Sequence, residues 1–209
     1  MMDSKQLALY AQERIFVNTI DQFKNANLSF LRHKINSIDL NPISHIIQNE
    51  LYRGYFIQEA GSEHYKLLAF LSSLFNDCQL FDIGTHIGGS SIALAYNPNN
   101  LVISYDIDNF TELKDPPSNI HFQIGDFRKD DDVLSSPLIF IDAHHNGTDE
   151  KEFHQFFLNN NYKGVVLWDD IYLNPEMRDF WGSVTTEKYD LTAVGHGTGT
   201  GMIIYSGSK

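Results

Sequence analysis

Two short apolar runs in the second half of the chain end in acids, one of them with histidines close behind. One reads Leu138-Ile139-Phe140-Ile141-Asp142-Ala143-His144-His145 and the other Gly164-Val165-Val166-Leu167-Trp168-Asp169-Asp170. Carboxylates brought together raise one another's pKa, so a cluster of three is costly unless a cation sits among them. Hard oxygen ligands suit Mg²⁺, which keeps water sites that a substrate can take. An imidazole beside them titrates near neutrality and can accept a proton from a bound hydroxyl. Against this stands a plainer reading, in which Asp169 and Asp170 only cap a helix beginning near Asn174-Pro175. A zinc hydrolase built on His144, His145 and Asp142 fits less well. Adjacent side chains point in different directions, and no histidine pair recurs at helical i, i+4 spacing.

A third run, Leu80-Phe81-Asp82-Ile83, passes through Gly84-Thr85-His86-Ile87-Gly88-Gly89-Ser90-Ser91 into a helical stretch with Ile92, Ala93 and Leu94. Amides at such a helix start can meet an anionic ligand group. The dinucleotide fingerprint asks for glycine at the first, third and sixth loop positions. Gly84 and Gly89 supply two of these, but the third is His86, whose side chain obstructs the close approach of a pyrophosphate. Two further runs also end in acids. Residues 101–105 lead into Asp106, 22 residues beyond Gly84 and placed to accept from ribose hydroxyls. Residues 120–124 lead into Gly125-Asp126-Phe127, where Asp126 can take an adenine amino group and Phe127 can lie against the ring. Singly, Asp106 reads as a strand-end cap and Asp126 as an Asx turn. All in order at successive strand ends, they are hard to explain by turn chemistry alone.

The elements needed to hold these residues are legible in outline. Runs at 80–83, 101–105, 120–124, 138–141 and 165–168 read as strands buried on both faces of a parallel sheet, with helices as crossovers. Ahead of Asn76, helical periodicity dominates: Leu7, Tyr10, Ala11 and Ile15, then Ile20, Phe23 and Leu28. A later helical stretch carries Leu67, Leu68, Phe70, Leu71 and Leu74, with Ser62-Glu63 reading first as its N-terminal cap. The functional alternative places Glu63 or Tyr65 at the ligand. Residues 189–194 and 202–205 flank the glycine-rich turn 195–201 and suggest an antiparallel pair closing one sheet edge. Phe153, Phe156 and Phe157 have helical spacing and read as a helix packed on the sheet, Trp181 as core, and His154 as surface. His86 and His196 are loop histidines that either line a pocket or do nothing more. The expected architecture is α/β, with an N-terminal helical cap over 1–62 and a Rossmann-like doubly wound domain over 63–209.

Composition narrows the function classes. The net charge is -12, from 27 acids against 15 bases, which repels phosphate backbones and argues against nucleic acid. Lys5, Arg14, Lys24, Arg32, Lys34 and Arg53 are dispersed rather than gathered in a patch. No apolar run approaches the roughly 20 residues of a membrane span, and the N-terminus lacks the apolar run of a secretory signal. The single cysteine, Cys78, suits a reducing cytoplasm. A homo-oligomer is compatible with all of this.

The ordered motifs resemble those of the class I S-adenosylmethionine-dependent methyltransferases. Asp82-Ile83-Gly84 matches their first motif, Asp106 the acid of their second strand and Asp126 that of their third, over roughly Glu63 to Tyr205. The resemblance implies seven strands with the last antiparallel, in agreement with the glycine-rich hairpin. S-adenosylmethionine, with an amino-acid end, a sulfonium and an adenosine but no pyrophosphate, meets the limit set by His86. Expected around it are Asp82, Gly84, Thr85, His86, Gly88, Ser90, Asp106, Asp126, Phe127 and Asp142. In the implied strand order the fourth and fifth strands are neighbours, so Asp142, Asp169 and Asp170 would converge as ligands to Mg²⁺ or another divalent cation. That pattern is similar to the metal-dependent O-methyltransferases of the catechol and macrocin type. The catechol-type enzymes commonly have Asn where this chain has Asp170. The macrocin-like group often shows the Asp-x-x-His turn seen in Asp142-Ala143-His144-His145, which implies His145 as general base. The expected reaction is metal-assisted O-methylation of a small molecule with adjacent oxygens. Metal-independent methylation of another small acceptor and a catalytically idle cofactor-binding module are its alternatives.

Overall fold

The computed structural model describes residues 14, 17–19, 21, 28–109 and 111–207. The helical pattern expected over Leu7, Tyr10, Ala11, Ile15, Ile20 and Phe23 lies outside the described residues. Seven strands form one sheet in the order β3-β2-β1-β4-β5-β7-β6. They are β1 (Gln79–Ile83), β2 (Leu101–Asp106), β3 (Ile120–Ile124), β4 (Leu138–Ile141), β5 (Lys163–Asp169), β6 (Lys188–Asp190) and β7 (Thr200–Ser206). The first five run parallel, and β7 lies antiparallel between β5 and β6.

Alternation along each strand divides the core into two layers, as period-two side-chain direction requires. Leu80, Val102, Leu138, Phe140, Val165 and Leu167 face one cluster; Phe81, Ile83, Ile103, Ile139, Ile141, Val166 and Trp168 face the other. Seven helices cover these faces among the described residues: α1 (Leu28–Asn36), α2 (Asn41–Ser44), α3 (Glu50–Phe56), α4 (Tyr65–Ser72), α5 (Gly89–Leu94), α6 (Thr148–Asn159) and α7 (Pro175–Ser183), with short 3-10 turns after β3 in place of a longer crossover helix. Phe153 and Phe157 of α6 pack on the second layer with Met177, Phe180 and Trp181 of α7, as their spacing suggested.

The segment ahead of Glu63 shares the first layer, burying Leu31, Ile35, Leu40, Ile47 and Phe56 beside α4 and α5. It also reaches across the carboxyl edge of the sheet. Ile47 bridges Leu113 in the β2–β3 connection, with Gln48 N donating to Glu112 O and Lys114 N to Ile46 O. Among the described residues no helix is long and apolar enough to cross a membrane.

Three local expectations are corrected. The edge strand is only Lys188–Asp190, and Leu191 and Val194 are buried in a turn whose amides bond back to Leu191 O, so apolarity there reflects packing and not strand. The cap position of α4 belongs to His64, which makes no capping bond, and not to Ser62-Glu63. His154 is half-buried against Tyr205, its Nδ1 2.5 Å from the phenol oxygen, and is not a surface residue.

The junction of β1 and β4 explains one glycine. Asp142 N donates to Ile83 O at 2.8 Å, holding the two strand ends together. Gly84 follows with φ +98°, and a Cβ there would lie 1.9 Å from Asp142 O. Gly84→Ala meets both a disfavoured backbone and an immovable carbonyl, costing about 3 kcal/mol or more. Thermal unfolding should show a fall of about 6–12 °C. Gly54→Ala, inside α3 with nothing within 4 Å of the added carbon, should leave stability equal or slightly raised.

Candidate active site

A cavity of about 540 Å³ opens across the carboxyl ends of β1 to β4, within the range of small-molecule sites. Gly84, His86, Asp106, Asp126, Phe127, Asp142 and His145 all line it. The parallel register brings them together, because each lies at or within a few residues of the carboxyl end of a strand. Asp106 Oδ2 accepts from His86 N at 2.8 Å and Oδ1 from Ile107 N at 2.7 Å. Each oxygen keeps a further acceptor site, so the strand-end cap and a hydroxyl ligand are compatible. His86 itself is exposed at φ +43°, its ring edge-on to Tyr52 at 5.3 Å.

Asp126 does form the Asx turn, accepting from Arg128 N at 3.0 Å. Its oxygens also accept from the Arg128 guanidinium at 2.9 and 3.0 Å, which holds the carboxyl below its usual range. Arg128 lines the cavity and was missed by sequence reasoning, since its partner lies only two residues away and nothing but rotamer choice pairs them. Phe127 contributes one wall but is otherwise buried, edge-on to Phe153 at 5.0 Å.

Asp82, Thr85, Gly88 and Ser90 stand behind the cavity wall instead of lining it. Asp82 is fully buried, and its Oδ2 accepts from Ser91 at 2.5 Å, Ser104 at 2.9 Å and Ser90 at 3.1 Å. Burial outweighs those three hydroxyls and pushes the carboxyl up to about 6. Thr85 joins the same network through Ser104 at 2.6 Å. A Cβ on Gly88 would strike Leu113 at 2.6 Å, and one on Gly89 would strike the Tyr65 ring at 2.9 Å. The glycine loop is thus braced from behind by the β2–β3 connection and by α4.

Beside the cavity lies a rim of acids and imidazoles. Ile141 pairs with Trp168, so Asp142 and Asp169 emerge next to each other. Asp169, 3% exposed, pairs with Thr200 of β7 and accepts from its hydroxyl at 3.2 Å. His196 Nδ1 lies 3.2 Å from Asp169 Oδ2 and 3.2 Å from Asp170 Oδ1, and Thr198 donates its hydroxyl to Asp170. His64 Nδ1 is 3.2 Å from Asp169 Oδ2, and His196 Nε2 is 3.9 Å from Glu63. His145 Nε2 is 3.0 Å from Asp142 and 3.6 Å from Asp170. Asp142 and His145 therefore belong both to the cavity wall and to the rim. The capping alternative for Asp169 and Asp170 fails, because Asn174 caps α7 by accepting from Met177 N at 2.8 Å.

No lysine or arginine among the described residues bridges these acids; imidazoles face them instead. Burial opposes charge on His64, yet the Asp169 carboxylate raises it to about 9. Hydrogen bonding to Asp169 and Asp170 lifts His196 to about 11. Burial likewise opposes charge on Asp169, but His64 and His196 hold it well below the usual carboxylate range. Asp142 outweighs burial at His145 and raises it, whereas burial raises Glu63. His144, His145 and Asp170 sit in left-handed backbone at φ +51°, +51° and +57°, a concentration typical of functional loops. Glu63, expected either at the helix cap or at the ligand, faces His196 at the rim, and His64 joined the rim unannounced by any local motif. The signal for His196 lay in the alternation His196-Gly197-Thr198-Gly199-Thr200 opposite Asp169-Asp170, which only the hairpin register reveals.

No family model matches the chain, and no curated protein does so either. Solved structures share its fold. The O-methyltransferase TomG from Streptomyces achromogenes, in complex with SAM, is 19% identical over 84% of this chain and 99% of its own, with a TM-score of 0.51. A Staphylococcus aureus protein proposed to be a caffeoyl-CoA O-methyltransferase is 15% identical over 91% and 98%, with a TM-score of 0.52. The SAH-bound methyltransferase PaMTH1 of Podospora anserina is 12% identical over 68% and 77%, with a TM-score of 0.50. At such identities the likeness is one of fold: the chain has the Rossmann-like methyltransferase architecture, last strand antiparallel.

The buried Asp82 generates a pH signature. An unfolded aspartate ionises near 3.8, but the folded one only at about 6. Between those values the folded state carries an extra proton, so Asp82 withdraws stability as pH rises through that window, by about 3 kcal/mol in all. Asp82→Asn should lack this component. Chemical denaturation at pH 4 and pH 7 is expected to show the variant gaining on the wild type at the higher pH; a constant difference would mean Asp82 ionises normally.

Proposed function

We propose that the chain is an S-adenosylmethionine-dependent O-methyltransferase that acts on a small molecule with adjacent oxygens and uses a divalent cation. The observation that carries this reading is the sharing of Asp142 and His145 between cavity and rim. A nucleoside-sized cavity and a carboxylate cluster meet at one wall, where a donor and an acceptor can be brought into contact. The likeness in fold to TomG, described with SAM, and to PaMTH1, described with SAH, supports the choice of donor.

S-adenosylmethionine supplies a methyl group activated on a sulfonium. For holding it the chain offers Asp106 as acceptor for ribose hydroxyls, Asp126 and Arg128 at the adenine end, and Gly84 as a wall without a side chain. Asp126 can accept from an amino group only with the acceptor sites that Arg128 leaves. The cation fits as well: Asp169 closes with Asp142 in one group and with Asp170 in another, each completed by a histidine, and among the described residues no lysine or arginine neutralises them. A divalent ion held there acidifies and orients an acceptor hydroxyl.

His145 is the proton acceptor. With Nε2 engaged by Asp142 at 3.0 Å, Nδ1 remains to take the hydroxyl proton, and the carboxylate stabilises the imidazolium that results. Asn174 Nδ2 donates to His145 O at 2.7 Å and fixes the turn that carries it. Most of the remaining work is alignment, as expected for a direct displacement. Metal-independent methylation is the second reading, favoured by the imidazoles that can offset the rim's charge when protonated. The lone half-buried Cys78 is in keeping with a reducing cytoplasm.

Calorimetry should show S-adenosylmethionine binding, weakened by about 1.5–3 kcal/mol in Asp106→Ala through loss of a charge-assisted bond. NAD should not bind at submillimolar concentration, since His86 stands where a pyrophosphate must approach; equal affinity for NAD would remove that argument. With catechol as acceptor, chelator should abolish methyl transfer and Mg²⁺ or Mn²⁺ restore it. Asp169→Ala should lose the metal response and keep donor binding, while His145→Ala should keep both and lose rate about 10²–10⁴-fold. Undiminished transfer after chelation would establish the metal-independent reading.

A further inference from the structure

The donor set at the rim is not the all-oxygen one that three aspartates would make. Among the described residues, each group of three ligand atoms that closes within 4.8 Å contains an imidazole: Glu63 with His64 and His196, His64 with Asp142 and Asp169, and Asp169 with Asp170 and His196. His64 is the decisive member. It is 3% exposed, and neither of its ring nitrogens makes a hydrogen bond. Its Nδ1 faces Asp169 Oδ2 at 3.2 Å, close enough for an ion pair but without hydrogen-bond alignment. Burying both nitrogens unsatisfied is costly unless something else engages them.

His196 poses the complementary problem. Its Nδ1 faces Asp169 Oδ2 at 3.2 Å, Asp170 Oδ1 at 3.2 Å and Thr198 Oγ1 at 3.0 Å. One ring nitrogen carries at most one proton, so it cannot serve three oxygens. A nitrogen lone pair directed at a cation shared with those oxygens would resolve the crowding. The rings of Tyr65 and Phe140, 4.4 and 4.9 Å from His64, hold that imidazole in its orientation.

We infer that the rim binds a first-row transition-metal dication on the Asp169 carboxylate with imidazole nitrogen from His64 and His196, each of which closes with Asp169 in its own group of three. Nitrogen donors favour such ions over Mg²⁺, which prefers oxygen throughout. The inference rests on the rim being the cation site of the proposed function, but not on the identity of the methyl acceptor.

The test uses the full chain, stripped with chelator and reloaded with Mn²⁺, with circular dichroism as the check on folding. Pulsed electron paramagnetic resonance should show nitrogen coupling to the bound ion. His64→Gln, which keeps a polar side chain in the buried position, should remove part of that coupling and weaken Mn²⁺ binding about tenfold or more. His196→Ala, at a half-exposed position, should do the same, and Mg²⁺ should compete only weakly. Bound Mn²⁺ without nitrogen coupling would overturn the inference and leave an all-oxygen cation site standing. No Mn²⁺ binding up to about 1 mM would overturn the inference and the metal-dependent reading together.

Discussion

The exits of β1 and β4 are held against each other, and the carboxyl edge is organised around that constraint. The bond from Asp142 N to Ile83 O keeps the strands paired to their last residues, and Gly84 then passes the Asp142 carbonyl at a distance that admits no side chain. Two consequences follow. The glycine loop turns away against Leu113 and Tyr65, leaving open the cavity that Asp106 and Asp126 face. Asp142 is held at the cavity wall while its neighbour across β4 and β5 is Asp169. One backbone contact therefore sets the nucleoside-sized cavity and the acidic rim side by side.

The second organising term is charge. Glu63, Asp142, Asp169 and Asp170 share one rim, and Asp169 is almost wholly buried. Carboxylates so placed repel unless positive charge is supplied. Among the described residues it is supplied only by imidazoles, which can be protonated or can coordinate, and not by lysine or arginine, whose charge is permanent. That choice keeps the rim adjustable. An imidazole that loses its proton becomes a ligand or a base, whereas an arginine would close the site, much as Arg128 occupies Asp126 across the cavity.

Much of the fold was legible in the sequence, for a physical reason. Strands buried on both faces need apolar runs, and the runs at 80–83 and 138–141 fall within β1 and coincide with β4. The run at 120–124 coincides with β3, but that strand lies at the sheet edge with His121, Gln123 and Ile124 exposed, so the expectation of burial on both faces fails there. Acids that follow such runs must emerge at one edge, which is why Asp106, Asp126, Asp142 and Asp169 could be picked out. The apolar residues Leu191 and Val194 misled because a buried turn needs them as much as a strand does. His64 was hidden because its place at the rim depends on how α4 docks against the sheet, which no local spacing records. Thr85 and Ser90 resemble ligand contacts in sequence but turn inward, since the buried Asp82 carboxylate needs hydroxyl donors around it.

The claim that cavity and rim are one site can be measured through distance. S-adenosylmethionine carrying a ¹³C-labelled methyl group would be bound to the chain and observed by NMR while Mn²⁺ is added. If the donor occupies the cavity and the ion the rim, the methyl resonance should broaden severely with Mn²⁺ and be unaffected by Mg²⁺, because paramagnetic relaxation falls steeply with distance. A bound methyl signal that stays sharp in the Mn²⁺-loaded protein would contradict the account, since donor and cation would then lie too far apart to act on the same acceptor.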